Sequence, residues 1–149
     1  GRMLYEYQEP TVPLKEEVDF IRNYVSLMKL RMPAGVDVKF EINCNECNLR
    51  ISPMLIISLV ENAFKHGISP TEPSFVHIQV FIDKANREVT FDIRNSNFPK
   101  TEEDRSGHGI GLQQVERRLQ LIYPGKHIWE KGVTDDGKTY YSRITIDTK

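Results

Sequence analysis

The run Leu59-Val60-Glu61-Asn62-Ala63-Phe64-Lys65-His66-Gly67 sets polar groups where a helical repeat calls for apolar ones. Leu55, Leu59, Asn62 and His66 fall at i, i+4, i+7 and i+11, so they share one stripe of a helix. Ile56, Val60 and Ala63 lie beside that stripe. An amide on such a face must find partners, because an unpaired buried one costs on the order of a few kcal/mol. Either the backbone satisfies Asn62 and His66, or the stripe lines a site for a polar ligand. A break in an otherwise consistent local pattern favours the ligand.

Further along, Gly107-His108-Gly109-Ile110-Gly111-Leu112 places three glycines at alternate positions. The pattern after it, Gln113 to Tyr123, is helical, with Leu112, Val115, Leu119 and Ile122 on its apolar face. Glycine lets backbone amides approach a bulky anion, and a helix start adds free N–H groups and partial positive charge. The spacing is G-x-G-x-G and a polar loop precedes it, so it is not the dinucleotide-binding fingerprint.

The two motifs resemble the N box and G2 box of the ATPase superfamily that includes gyrase, heat-shock chaperone ATPases, histidine kinases and mismatch-repair proteins. Within it, E-N-A-F-K-H-G followed by G-H-G-I-G-L-x-x-V-x-R-R-L-x-x-x-Y is similar to sensor histidine kinases of the LytS/YesM type. The stretch Leu14–Met32 resembles the segment between the acceptor and ATP-binding regions of that family. The resemblance runs from Val12 to about Ile146. It implies a Bergerat ATP-binding (HATPase) fold, ATP and Mg²⁺ as cofactors, and a role in a bacterial two-component phosphorelay. It also implies an upstream helical phosphoacceptor domain in the same protein and a response regulator as an indirect partner. The intact protein would then be a homodimeric inner-membrane sensor, with this domain in the cytoplasm.

The roles follow residue by residue. Asn62 is the expected Mg²⁺ ligand, since Mg²⁺ takes oxygen ligands, keeps waters and leans on nucleotide phosphates. Glu61 points about 100° away from Asn62 on a helix, and the resemblance makes it the catalytic base; otherwise it is an exposed carboxylate paired with Lys65. Lys65 and His66 are expected to face the triphosphate, and Gly107, Gly109, Gly111 and Leu112 to cradle it. Asn95-Ser96-Asn97 stands where the family's D-x-G is expected. Asn95 keeps a carbonyl acceptor for adenine but loses the charge-assisted bond. Residues 98–106, with Lys100, Glu102, Glu103, Asp104 and Arg105, fit a short ATP lid or a solvated linker. Arg117 and Arg118 read as a solvated helix face, with phosphate contact as the alternative. The histidines belong to the two boxes or to strands, so the phosphoacceptor must lie elsewhere. Two other functions stay open: a degenerate nucleotide-binding signalling module, which Asn95 favours, and a non-kinase ATPase of the same fold.

The elements that must position these groups are legible in part. At 149 residues the chain is one domain, with residues 1–11 a tail and 12–149 the folded unit. Gly1 in place of an initiator Met reads as the mark of an excised fragment. The hydrophobic share of 39% and charged share of 28% describe a globular chain, and a net charge of −1 argues against nucleic acid. Cys44 and Cys47 form a C-x-x-C with no second pair and no nearby His, so reduced thiols are expected rather than zinc. Leu14 to Met32 repeats as a helix, and Ser52-Pro53 opens a second, through about Lys65. Residues 36–42, 76–82, 89–93, 127–131 and 139–146 alternate as strands. The order predicts an α+β, two-layer α/β sandwich: a mixed, largely antiparallel sheet with helices on one face.

Overall fold

The computed structural model describes residues 10–44, 46–98 and 102–149, with the backbone alone over 102–110. The five-stranded sheet has the order β2-β4-β5-β7-β6. Its strands are β2 (Val36–Ile42), β4 (Ser74–Asp83), β5 (Glu88–Ser96), β6 (His127–Val133) and β7 (Thr139–Asp147). β2 pairs parallel to β4, and every other pairing is antiparallel. The parallel pair requires a crossover, and α2 (Ile57–His66) lies within it. The remaining helices are α1 (Leu14–Arg31) and α3 (Glu102–Ile122). The expected α+β sandwich, with its mixed sheet and helices on one face, is the fold.

Alternation along the strands creates the two faces. Val76, Ile78, Val80 and Ile82 of β4, Val89, Phe91 and Ile93 of β5, and Ile144 and Ile146 of β7 point into one core. Leu14, Val18, Ile21 and Val25 of α1 cover it at helical spacing, with Val60, Ala63 and Phe64 of α2 and Val115 and Leu119 of α3. The opposite face is mixed, with Phe81 and Ile128 exposed among polar residues. There Asp92 is buried beneath Arg94 and Arg143, which donate to its carboxylate at 2.9 Å each. α1 carries Glu16 and Glu17 in its first turn and Lys29 and Arg31 in its last, both favourable to the helix dipole, and stops before Pro33.

Three features depart from the sequence expectation. A two-residue ladder pairs β1 (Val12–Pro13) with β3 (Arg50–Ile51), and two residues show no alternation to detect. α2 begins at Ile57, not at Ser52-Pro53. Met54 has φ 62, a left-handed conformation no helix accommodates, so the helix starts beyond it. α3 begins at Glu102, so Gly107, Gly109 and Gly111 are helical rather than a loop ahead of the helix. The expected lid over 98–106 is likewise helical from Glu102, and residues 99–101 lie outside those described. Glycine permits a helix at about 1 kcal/mol per residue, and the intrahelical ladder satisfies amides that a loop would leave to an anion. The expected tail lies mostly outside the described residues. Cys44 and Cys47 follow β2 as free thiols packed against the core.

Candidate functional site

The polar stripe of α2 faces a cleft between helices and sheet. Leu59, Asn62, Ala63 and His66 form one wall. Ile93 and Asn95 of β5, with Tyr140 and Ser142 of β7, form the floor, and Leu112 of α3 closes the third side. The enclosed room is about 20 Å³, roughly one water. Leu112 of α3 therefore lies where a larger ligand would need space.

Asn62 is the group the fold leaves unsatisfied. Its Nδ2 is buried and has no hydrogen-bond partner among the described residues. A Cβ on Gly111 would stand 3.9 Å from that nitrogen, so Gly111 of α3 lies against the Asn62 amide. His66 and Leu112 share the cleft, as the stripe and the G-x-G-x-G motif require. Gly107 and Gly109 sit in the preceding turns of α3.

Asn95 is buried at the end of β5, between Val76 of β4 and Tyr140 of β7. Its Nδ2 donates to the Ser96 carbonyl at 2.8 Å, which commits the nitrogen and leaves Oδ1 as the acceptor. Gly67 explains how α2 comes so near. A Cβ there would lie 2.5 Å from the Asn95 Cβ and 2.6 Å from the Ala63 carbonyl. Only glycine permits the approach. Ser96 Oγ locks it by donating to the Gly67 carbonyl.

Glu61 and Lys65 do not line the cleft; both are exposed. Glu61 turns towards α1, where burial first and the Glu61 carboxylate second push the Tyr24 phenol above its ordinary range. An exposed carboxylate one residue from a buried, unpaired amide can meet a group that arrives from outside the domain.

Two parts of this region were not foreseen. Tyr140 and Ser142 belong to the cleft through the inward register of β7, and a polar residue at that register was the available signal. Ser142 also accepts from Trp129 Nε1 at 2.7 Å. Arg118 is neither a solvated side chain nor a cleft residue. It donates to Met54 O, Ser52 Oγ and Pro53 O, each at 3.0 Å, and so holds the approach to α2.

Asn62 fits a magnesium–nucleotide by its chemistry. Mg²⁺ held mainly by phosphate and water needs only one amide oxygen from the protein. Among the described residues no group of three or more His, Cys, Asp or Glu could hold a metal by itself.

Comparison with known proteins bears on the chain as a whole. No protein-family model matches the chain. The sensor histidine kinase/phosphatase LytS of Staphylococcus aureus strain MRSA252 is 23% identical over 145 residues, 90% of this chain and 25% of its own length. LytS of strain Mu50 is 22% identical over the same extent. The chain thus spans about a quarter of these relatives. Among solved structures, the catalytic domain of histidine kinase ThkA aligns with TM-score 0.63 at 17% identity, over 95% of this chain and 98% of that one. The histidine kinase domain of the blue-light activated kinase from Erythrobacter litoralis aligns with TM-score 0.63 at 16% identity, over 92% and 66%. Full-length ShkA aligns with TM-score 0.66 at 12% identity, over 95% and 32%. The chain is homologous to LytS sensor histidine kinases over nine-tenths of its length and has the fold of histidine kinase catalytic domains.

Proposed function

We propose that this chain is the ATP-binding catalytic domain of a two-component sensor histidine kinase, and that it transfers the γ-phosphoryl group of ATP to a histidine outside the chain. The observation that carries the reading is the buried, unbonded Asn62 amide, facing Asn95 across the cleft and lying against Gly111 of α3. When bound, Mg-ATP supplies the phosphoryl group and the charge that the metal neutralises. The protein's contribution is mostly positioning. Asn62 offers an oxygen to the metal, and Asn95 Oδ1 accepts from the adenine amino group. Lys65, His66, Leu112 and the amides of Gly107, Gly109 and Gly111 hold the phosphates. Glu61, exposed beside the site, takes the proton of the incoming imidazole.

The cleft must widen to admit a nucleotide, and the first turns of α3 are the part able to move. Each of their glycines weakens the helix by about 1 kcal/mol, and a freed turn exposes amides to phosphate. Supporting this reading, full-length ShkA was solved with the ATP analogue AMPPNP, and ThkA with the response regulator protein TrrA. In the intact protein the upstream helical domain would be the acceptor and the regulator the next recipient, the whole a homodimer with this domain on the cytoplasmic side of a membrane sensor. No helix among the described residues is long and apolar enough to cross a membrane.

The test is phosphotransfer in trans. Radiolabelled ATP should leave this chain unlabelled and, with the upstream domain added as a separate polypeptide, should put acid-labile label on that partner. Glu61→Gln should slow transfer more than it weakens ATP binding, because a base acts in the transition state. Acid-stable label on this chain itself would contradict the reading. One observation favours a second function: Asn95 stands where the family carries Asp, so a module that binds nucleotide without transferring it would show binding and no label on the partner.

A further inference from the structure

We propose that Arg118 and Glu17 are positioning residues: together they clamp the loop that opens α2 onto α3 and α1, and so set how Asn62 meets the glycine segment. This rests on the reading of the cleft as the Mg-ATP site.

The geometry is that of a saturated joint. The Arg118 guanidinium, from α3, gives both terminal nitrogens to the loop before α2: Nη1 to Met54 O, and Nη2 to Ser52 Oγ and Pro53 O, each at 3.0 Å. A planar fork can engage several acceptors in one plane, which a lysine cannot reproduce. Tyr123, just beyond α3, accepts from the Ser52 N–H at 3.0 Å through its hydroxyl. Glu17 ties in α1. It is 5% exposed; burial raises its carboxyl, and the neighbouring Met54 backbone and Arg118 charge draw it back, which places it beside both. The left-handed Met54, at φ 62, is the residue whose carbonyl Arg118 holds, with Glu17 buried beside it. Such a conformation costs free energy and persists where its surroundings enforce it.

The consequence follows from rigidity. α2 leaves this joint at Ile57 and carries Asn62 on its second turn. α3 carries Arg118 seven residues beyond Gly111, whose Cβ position lies 3.9 Å from Asn62 Nδ2. A change in the joint therefore alters the spacing of the two groups that meet at the cleft. α1 enters the domain at the same joint, its Leu14 N–H held by Leu49 O at 2.8 Å. A displacement of α1 transmitted through Glu17 would thus reach the ligand site without any α1 residue touching it.

The experiment uses this chain and its Arg118→Lys and Glu17→Gln variants. Hydrogen exchange of backbone amides 56–66 and calorimetric affinity for an ATP analogue, with and without Mg²⁺, are measured on each. In folded variants, exchange along α2 should quicken and the ratio of Mg-dependent to Mg-free affinity should fall about tenfold. A joint that merely stabilises the fold would lower the Tm and leave that ratio unchanged. If Arg118→Lys does not fold, Glu17→Gln carries the test, since it removes the charge with little change of shape. Unchanged exchange along α2, or quickened exchange with an unchanged ratio, would overturn the proposal. If the unsubstituted chain binds no nucleotide, the functional reading fails, and exchange along α2 alone then decides whether the clamp exists.

Discussion

Two polar clusters interrupt the same apolar helical layer, and the protein treats them differently. Around Arg118, donors and acceptors meet: three carbonyl or hydroxyl oxygens take the guanidinium, and Tyr123 takes the Ser52 amide. Around Asn62, a buried amide nitrogen meets no partner among the described residues, at a cleft with room for about one water. A saturated cluster holds elements together. A buried donor left unbonded costs roughly 1–3 kcal/mol, which makes it a candidate point of contact for a ligand. The pair separates structure from site by hydrogen-bond satisfaction, with no appeal to residue type.

Substitutions that probe this contrast differ in size. The largest stability effect is expected at Gly67, which lets the end of α2 reach Asn95. Gly67→Ala places a methyl 2.5 Å from the Asn95 Cβ and 2.6 Å from the Ala63 carbonyl, neither of which can retreat cheaply. Denaturant unfolding should register a loss of about 3 kcal/mol or more. A loss below about 1 kcal/mol would mean that α2 and β5 are not held so tightly.

Next comes Tyr123→Phe in the saturated cluster. It strands the buried Ser52 N–H and should lower stability by about 1–3 kcal/mol. A neutral result would show that water replaces the phenol, and the cluster would no longer count as closed.

Asn95→Asp is the smaller change on the cleft side. An aspartate restores charge towards a nucleotide, but the Asn95 Nδ2 bond to the Ser96 carbonyl at 2.8 Å becomes oxygen against oxygen. Stability should fall by about 1 kcal/mol or more, and nucleotide affinity should not rise in proportion to the added charge. Tighter binding without a stability loss would show that Asn95 is not tuned to its own site.

The smallest effect is a pH slope. Burial raises the Glu17 carboxyl above its ordinary value of 4.5, against the opposing pull of the Met54 backbone and the Arg118 charge. Between 4.5 and the raised value the folded protein holds a proton that the unfolded chain releases. The contribution is fully present below pH 4.5 and is lost as pH rises through the folded pKa. Glu17→Gln should flatten stability against pH in that window, read from thermal unfolding at a series of pH values. An unaltered slope would assign it to other groups.

What the sequence revealed tracks the range of the forces involved. The apolar repeat of α1 and the alternation of β4, β5 and β7 are local, and they predicted the elements and the two-layer fold. The Asn62–His66 stripe was visible because polar residues broke a local period. The β7 contribution to the cleft, Tyr140 and Ser142, depends on register with β5, a long-range fact. The role of Arg118 was hidden for the same reason: its acceptors lie 64 to 66 residues away in sequence. Nothing local marks the true start of α2, because the left-handed Met54 is a tertiary outcome in a residue with no intrinsic preference for it. The glycines of α3 were read as a loop because glycine admits both states, and packing rather than composition chooses between them.

The central claim is that the Asn62 amide is kept for a magnesium–nucleotide, its unbonded Nδ2 for a phosphate oxygen and its Oδ1 for the metal. The direct measurement is calorimetric titration of the chain and of Asn62→Ala with an ATP analogue, with and without Mg²⁺, alongside thermal unfolding of both. The account predicts that Asn62→Ala unfolds close to the unsubstituted chain, since it removes a donor that bonds to nothing. It also predicts a fall of about 10- to 100-fold in Mg-dependent affinity, with a smaller change in metal-free binding. Equal losses with and without Mg²⁺, or a marked loss of stability with affinity intact, would contradict it.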